Sequence, residues 1–111
     1  MRKILLLFTA LLLSVTAMAY DFKVDGLCYA IVGEGYSVEV TAEADFNNNY
    51  PDLVKAVIPN YVEYDNAQYR VLGLGENAFN GAKNLESIEF PSYDGGYEFY
   101  IKSFAAANCL N

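Results

Sequence analysis

The sequence predicts a mainly β fold with short helical turns, in which an N-terminal β-meander caps a short solenoid of about one and a half repeats. Two observations predict it. Short runs of alternating apolar residues, separated by turns, fill residues 20–49. Farther on, residues 103–110 repeat imperfectly the order of small, aromatic and branched residues that is found in 74–91. Because a repeat unit buries its apolar side only against a neighbour, this recurrence favours a recognition surface over a catalytic cleft.

Residues 1–19 have the composition of a secretory signal peptide. Two basic residues precede an apolar run at 4–13, and the small residues Ala17 and Ala19 end the segment. The run is shorter than the about 20 residues that a bilayer span requires. We therefore expect cleavage between Ala19 and Tyr20. The product is then secreted, displayed on the cell surface or periplasmic, with no membrane insertion after signal removal.

Residues 20–49 are predicted to form the N-terminal β cap. Turn residues at Asp25-Gly26 and Gly33-Glu34-Gly35 separate the apolar runs. The alternating apolar positions are Phe22, Val24, Leu27, Tyr29, Ile31, Val38 and Val40. No linker separates this cap from the repeat region that follows.

Residues 50–111 are the predicted repeat region. It begins with a strand near 54–58 and a hairpin insertion at 61–71. A later strand is expected at 87–90, where period-two alternation points Ile88 and Phe90 inward and Ser87 and Glu89 outward.

The predicted core of the repeats combines aromatic and branched residues. Phe79 and Phe104 each follow a small residue, and a leucine follows each ring six positions later. This spacing predicts one short helical turn before each strand, at 77–80 and at 102–107. The core residues are Ile58, Leu74, Phe79, Leu85, Ile88, Phe90, Phe104 and Leu110.

The composition argues against catalysis. The chain has no histidine, which removes the commonest general base and the commonest metal ligand. Glu86 and Glu89 are close in sequence, but an open strand face offers nothing to raise a carboxyl pKa. We expect no enzyme activity and no cofactor.

The segment 45–49 begins like a calcium-binding loop, with oxygen ligands at alternate positions. It lacks the glycine and the bidentate glutamate of that motif, so a hydrated loop is the favoured interpretation. Weak calcium binding by Asp45 and Asp52 remains an alternative.

The net charge restricts the partners. Without Arg2 and Lys3 the chain has 5 basic residues against 14 acidic ones, a net charge of −9. No basic cluster is present to neutralise phosphates, which argues against nucleic acid. A basic protein or a cation is compatible with this charge.

The two cysteines, Cys28 and Cys109, are at opposite ends of the predicted stack. A disulfide requires Cα atoms within about 6 to 7 Å, and stacking keeps the ends apart. Unpaired thiols are therefore favoured, with an intrachain bridge or a bridge to another chain as alternatives.

The repeat region resembles the BspA-like leucine-rich-repeat surface proteins. Their repeat pattern has a hydrophobic-Pro strand end, then Ala-Phe, two spacers, a small or Cys position and a Leu. This chain matches it with Val57-Ile58-Pro59, Val71, Leu74-Gly75, Ala78-Phe79, Ala82, Leu85, Ile88 and Phe90-Pro91. In the second copy Cys109 falls two positions past the small-or-Cys position. The resemblance implies a leucine-rich-repeat solenoid that acts in adhesion to host matrix or to other cells.

The outward strand positions are the predicted binding residues: Lys55, Ser87 and Glu89. They suit weak contact with an extracellular protein of host matrix or cell surface. Two alternatives stay open: a truncated adhesin fragment without independent function, and a small secreted inhibitor or carbohydrate-binding β-protein that uses the 64–69 loop. An uncapped C-terminal end around Phe104 and Leu110 would favour self-association.

Overall fold

The computed structural model describes residues 20–92 and 98–109. These residues form eight strands in two sheets and contain no helix. The strands are β1 Phe22–Val24, β2 Leu27–Ile31, β3 Ser37–Thr41, β4 Lys55–Val57, β5 Tyr61–Tyr64, β6 Ala67–Leu74, β7 Ser87–Glu89 and β8 Tyr100–Ile101. The mainly β class is confirmed, whereas the predicted short helical turns are absent from this part of the chain.

The larger sheet is mixed and nearly closed. Its order is β1-β2-β3-β6-β5, with β8 pairing the last two residues of β6. The β1–β2, β2–β3 and β5–β6 pairs are antiparallel, and the β3–β6 and β6–β8 pairs are parallel. The edge strands β1 and β5 meet where the rings of Phe22 and Tyr64 stack at a centroid distance of 4.3 Å.

Two-residue turns join β1 to β2 and β5 to β6. Asp25 and Gly26 have φ angles of 50° and 85°, and Asp65 and Asn66 have 52° and 64°. Positive φ at both central residues is the type I′ geometry, whose twist matches that of paired strands. Asp, Asn and Gly tolerate this region, so the local sequence determines both hairpins.

The parallel pairs join segments that are about thirty residues apart in sequence. Ser37 lies opposite Arg70, and Gly73 lies opposite Tyr100. β4 and β7 form the second, two-stranded sheet in the same way, with Ala56 opposite Ile88. After each interval of about thirty residues, the chain therefore forms a new strand beside the earlier one and parallel to it.

The segment 75–82 forms turns because its backbone N–H groups donate in two directions. The N–H groups of Ala78, Asn80 and Ala82 donate to carbonyls three residues earlier, at 3.0–3.1 Å. Those of Asn77, Phe79 and Gly81 donate instead to the carbonyls of residues 103, 105 and 107, at 2.7–3.2 Å. An α-helix would instead join each N–H group beyond its first turn to the carbonyl four residues earlier. The bonds to residues 103–107 therefore replace the helical turn predicted at 77–80.

The prediction that Phe104 is a core residue is wrong. The ring is 66% exposed, whereas Phe79 is fully buried. The bonds to residues 103–107 continue the β6–β8 register, which pairs residues 27 apart, so Phe104 corresponds to Asn77. Both residues have left-handed backbone, with φ of 59° and 63°. The sequence alignment of Phe104 with Phe79 was therefore two residues out of register, and Ala106 takes the position of Phe79.

The prediction that Phe90 points inward is also wrong, because its side chain is 47% exposed. β7 ends at Glu89, so the alternation of the strand does not extend to residue 90. Ile88 is half-buried and packs against the core. Leu110 lies outside the described residues.

The predicted core positions Ile58, Leu74, Phe79 and Leu85 are confirmed as buried. Residues of the predicted cap belong to the same buried cluster, and Tyr50, at the start of the repeat region, places its ring 5.4 Å from that of Phe79. The fully buried large side chains also include Tyr29, Val38, Val40 and Cys28. Cap and repeat region therefore share one hydrophobic core.

Asn49 joins the cap to the 75–82 turns through its buried side chain. Its Oδ1 accepts the N–H groups of Glu43 and Ala44 at 2.8 and 3.3 Å. Its Nδ2 donates to the carbonyls of Ala78 and Asn80, both at 3.0 Å. One amide thus satisfies four backbone groups that have no strand partner at this position.

β8 is held against β6 by a close backbone approach and a polar cluster. A Cβ at Gly73 would overlap the Tyr100 carbonyl oxygen, so the pairing requires glycine. The Tyr100 hydroxyl donates to Glu39 at 2.6 Å, and Lys102 lies 3.2 Å from the same carboxylate. Burial and the bond to Glu39 raise the pKa of Tyr100 above its usual value.

Candidate protein-binding face

β4 and β7 place all three predicted binding residues on one exposed surface. The parallel register sets Lys55 opposite Ser87 and Val57 opposite Glu89. All four side chains are exposed, whereas Ala56 between them is buried. We refer to the surface formed by Lys55, Val57, Ser87 and Glu89 as the β4–β7 face.

An ion pair crosses the β4–β7 face diagonally. Lys55 Nζ lies 3.4 Å from Glu89 Oε2, and both side chains are 59% exposed. Exposed pairs of this kind contribute about 0 to 1 kcal/mol, because water and salt screen them. Both charges therefore stay available to a charged partner at little energetic cost.

Apolar side chains border the charged residues, and sequence reasoning missed them. Val57 is 54% exposed, and Phe90 lies at the end of β7 with its ring edge-to-face against Phe99 at 5.8 Å. β7 ends at Glu89, so Phe90 lies beyond the strand whose alternation would have turned it inward. The surface is therefore mixed, rather than the flat polar row that the sequence predicted.

A groove of about 450 Å³ runs beside the β4–β7 face. Its walls come from β4, from β5 and from the β1–β2 turn. The lining combines aliphatic and aromatic side chains with a few charges, including Val24, Asp25, Leu27, Lys55, Val57 and Tyr61. β4 thus contributes both to the exposed face and to the groove.

The tyrosines of the β5–β6 hairpin pack against the cap. Tyr64 stacks on Phe22, and Tyr69 lies 5.1 Å from Phe22 and 5.4 Å from Tyr36. These contacts confirm cross-strand packing for Tyr64 and Tyr69. Because Tyr64 and Tyr69 pack against the cap, only the turn residues Asp65 and Asn66 of the 64–69 loop are free of such packing, and neither is aromatic. Aromatic anchors are typical of contact sites, so a contact through this loop is less favoured.

The C-terminal side of the described residues carries a second apolar patch. Ile101 is 57% exposed, and Phe104 66%. Within residues 20–92 and 98–109, β8 pairs only with β6, and β7 only with β4. This patch is the described part of the surface predicted to self-associate.

Both cysteines are free thiols. Cys28 is fully buried, and its backbone N–H donates to the Tyr50 hydroxyl at 2.8 Å. Cys109 is half-buried, with its thiol donating to the Ala106 carbonyl at 3.0 Å. Burial raises the pKa of each thiol above its usual value, which lowers the thiolate fraction.

Burial predicts a large difference in reactivity between the two thiols. In the native chain, N-ethylmaleimide is expected to modify Cys109 at least about ten times faster than Cys28, which reacts only after local opening. Peptide mapping by mass spectrometry measures the two rates, and concentrated urea supplies the control in which both react. Equal rates in the native chain would contradict the burial of Cys28.

Among the described residues, no group of three or more His, Cys, Asp or Glu is arranged to hold a metal ion. No helix in that part of the chain is long and apolar enough to cross a membrane. Comparison with known proteins gave no match to a family model, a curated protein or a solved structure.

Proposed function

We propose that this chain is an exported, non-catalytic protein-binding module of the BspA-like leucine-rich-repeat type, which adheres to an extracellular protein of host matrix or cell surface. The contact is the β4–β7 face. The observation that carries the proposal is that Lys55, which is about thirty residues before Ser87 and Glu89 in sequence, shares one exposed parallel ladder with them and with Val57. An open surface with charged and apolar residues suits protein contact better than capture of a small molecule.

The parallel ladders support a solenoid of about two coils for this module. Ala56 pairs with Ile88 after 32 residues, and Leu74 pairs with Ile101 after 27. The 27-residue register also places Cys109 on Ala82, the small-or-Cys position of the BspA-like pattern. In this alignment the two-residue departure of Cys109 disappears, whereas Ala106 stands at the position where the pattern has Phe.

Export is the part of the proposal that depends on residues 1–19. We expect signal peptidase to cleave after Ala19, so that intact-mass measurement of secreted protein gives an N-terminus at Tyr20. Asp21 donates its N–H to the Tyr29 carbonyl at 2.8 Å, so the second residue of the cleaved chain is hydrogen-bonded to β2. Recovery of the uncleaved chain in the membrane fraction would contradict the prediction.

Charge reversal on the β4–β7 face tests the binding function. Glu89→Lys is expected to weaken binding to immobilised basic matrix proteins about tenfold, because it replaces attraction with repulsion and leaves Lys55 without its partner. Surface plasmon resonance at two salt concentrations measures the affinity and its screening. The matched control is Glu34→Lys, which changes the net charge equally on the exposed β2–β3 turn. Equal losses in the two variants would show a general charge effect and reject the face.

Self-association is a second candidate function, favoured by the exposed Ile101 and Phe104. Light scattering of the purified chain measures it, and Phe104→Asp is the variant that removes the apolar contact. An oligomer that Phe104→Asp dissociates would support this candidate, and a monomeric parent chain would reject it.

A further inference from the structure

β4 uses only one of its two edges within the described residues. Ile58 donates its N–H to the Glu89 carbonyl at 2.8 Å, and the Val54 carbonyl accepts the N–H of Ser87 at 3.4 Å. Alternate residues of a strand direct their N–H and C=O groups to opposite edges, so residues 54, 56 and 58 face β7. The backbone groups of Lys55 and Val57 therefore point to the other edge. No described strand pairs with that edge.

This edge faces the groove of about 450 Å³, which Lys55 and Val57 both line. Opposite them, Val24 and Leu27 of the β1–β2 hairpin provide an apolar wall. A strand edge beside an apolar groove is the arrangement that accepts an extended peptide: main-chain hydrogen bonds supply affinity, and alternate side chains enter the groove. The groove thus offers both kinds of contact on one side of β4.

The charges that line the groove select the peptide. Lys55 is engaged by Glu89 across the β4–β7 face. Asp25 and Glu63 also line the groove, and neither forms an ion pair with a described residue. Two carboxylates at the groove, on a chain of net negative charge, favour a basic segment over an acidic one.

We propose that the free edge of β4 binds an extended segment of the partner protein, with alternating basic and apolar residues, as an added strand. The inference rests on the proposed protein-binding function and states how the partner's backbone is held. The apolar side chains of the segment contact Val24 and Leu27, and its basic side chains lie near Asp25 and Glu63. The backbone of the segment pairs with Lys55 and Val57.

A synthetic probe tests this pairing with the mature chain. The probe is a fluorescein-labelled hexapeptide that alternates lysine and valine, and fluorescence anisotropy measures its affinity. A glutamate–valine hexapeptide should bind at least about ten times more weakly. Probes N-methylated on all lysines or on all valines separate the two backbone edges. Methylation of one set should reduce affinity at least about tenfold, and methylation of the other by less than about twofold, because only one edge faces β4.

The chain offers a matched pair of variants for the same test. Val57→Pro removes the N–H that points into the groove and leaves the bonds to β7 intact, whereas Val57→Thr keeps this N–H. Loss of probe binding in Val57→Pro with retention in Val57→Thr is the expected result. Equal affinity of the two methylated probes, or no binding of the unmethylated probe, would overturn the inference.

The two proposals fail in different measurements. A difference between the methylated probes, with matrix-protein binding unchanged in Glu89→Lys, supports the strand edge and rejects the β4–β7 face. Loss of matrix-protein binding in Glu89→Lys, with equal affinities for the methylated probes, overturns the edge inference alone.

Discussion

Replacing Phe79 with alanine is expected to lower the free energy of unfolding by about 3 to 5 kcal/mol. The ring is fully buried beside Tyr50, and the turns around it are fixed by bonds to residues 103–107, so the site has little freedom to collapse. For a domain of this size the loss corresponds to a fall in Tm of at least about 12 °C. Thermal unfolding followed by circular dichroism measures it.

Phe104→Ala is the matched control, because the sequence presents Phe104 as the equivalent of Phe79. Its ring is 66% exposed, so the same substitution is expected to change stability by no more than about 0.5 kcal/mol. Similar decreases in Tm for the two variants would contradict the 27-residue register and support the alignment of the two phenylalanines.

The features that the sequence predicted correctly depend on local chemistry. Asp25-Gly26 and Asp65-Asn66 are residue pairs that tolerate positive φ, so each hairpin is encoded where it occurs. The outward positions of Ser87 and Glu89 follow from alternation within a single three-residue strand. Neither inference required knowledge of a distant segment.

The features that it missed depend on contacts between distant segments. In place of the helical turn predicted at 77–80, Asn77, Phe79 and Gly81 donate their N–H groups to residues 103, 105 and 107, and no local pattern signals those bonds. The position of Phe104 likewise depends on which residue β8 places opposite Gly73. A degraded repeat allows several alignments, and only strand pairing selects one.

The β4–β7 face also combines features that depend on local sequence with features that depend on contacts between distant segments. Sequence alternation identified Lys55, Ser87 and Glu89, but it could not show that β4 and β7 are neighbours, nor that Phe90 extends the surface with an exposed ring. The groove was not predictable, because it forms between β4, β5 and a turn of the cap. Its role depends on the unpaired edge of β4, which is a property of sheet topology.

The asparagine run at 47–49 also shows the limit of local pattern. The sequence predicts a polar turn there, and residues 47 and 48 are exposed as expected. Asn49 is 2% exposed and bonds four backbone groups. Nothing in three identical residues indicates which of them points inward.

Asn49→Ala is expected to destabilise the chain by about 2 to 4 kcal/mol, although it removes only a small polar side chain. The carbonyls of Ala78 and Asn80 and the N–H groups of Glu43 and Ala44 would lose their partner. The bond to Ala78 is buried, and a buried polar group left unsatisfied costs about 1 to 3 kcal/mol. Urea unfolding measures the change, and Asn48→Ala, at the exposed neighbouring position, is the control, with an expected change below about 0.5 kcal/mol. Equal urea midpoints for the two variants would mean that water replaces the Asn49 amide at these four backbone groups.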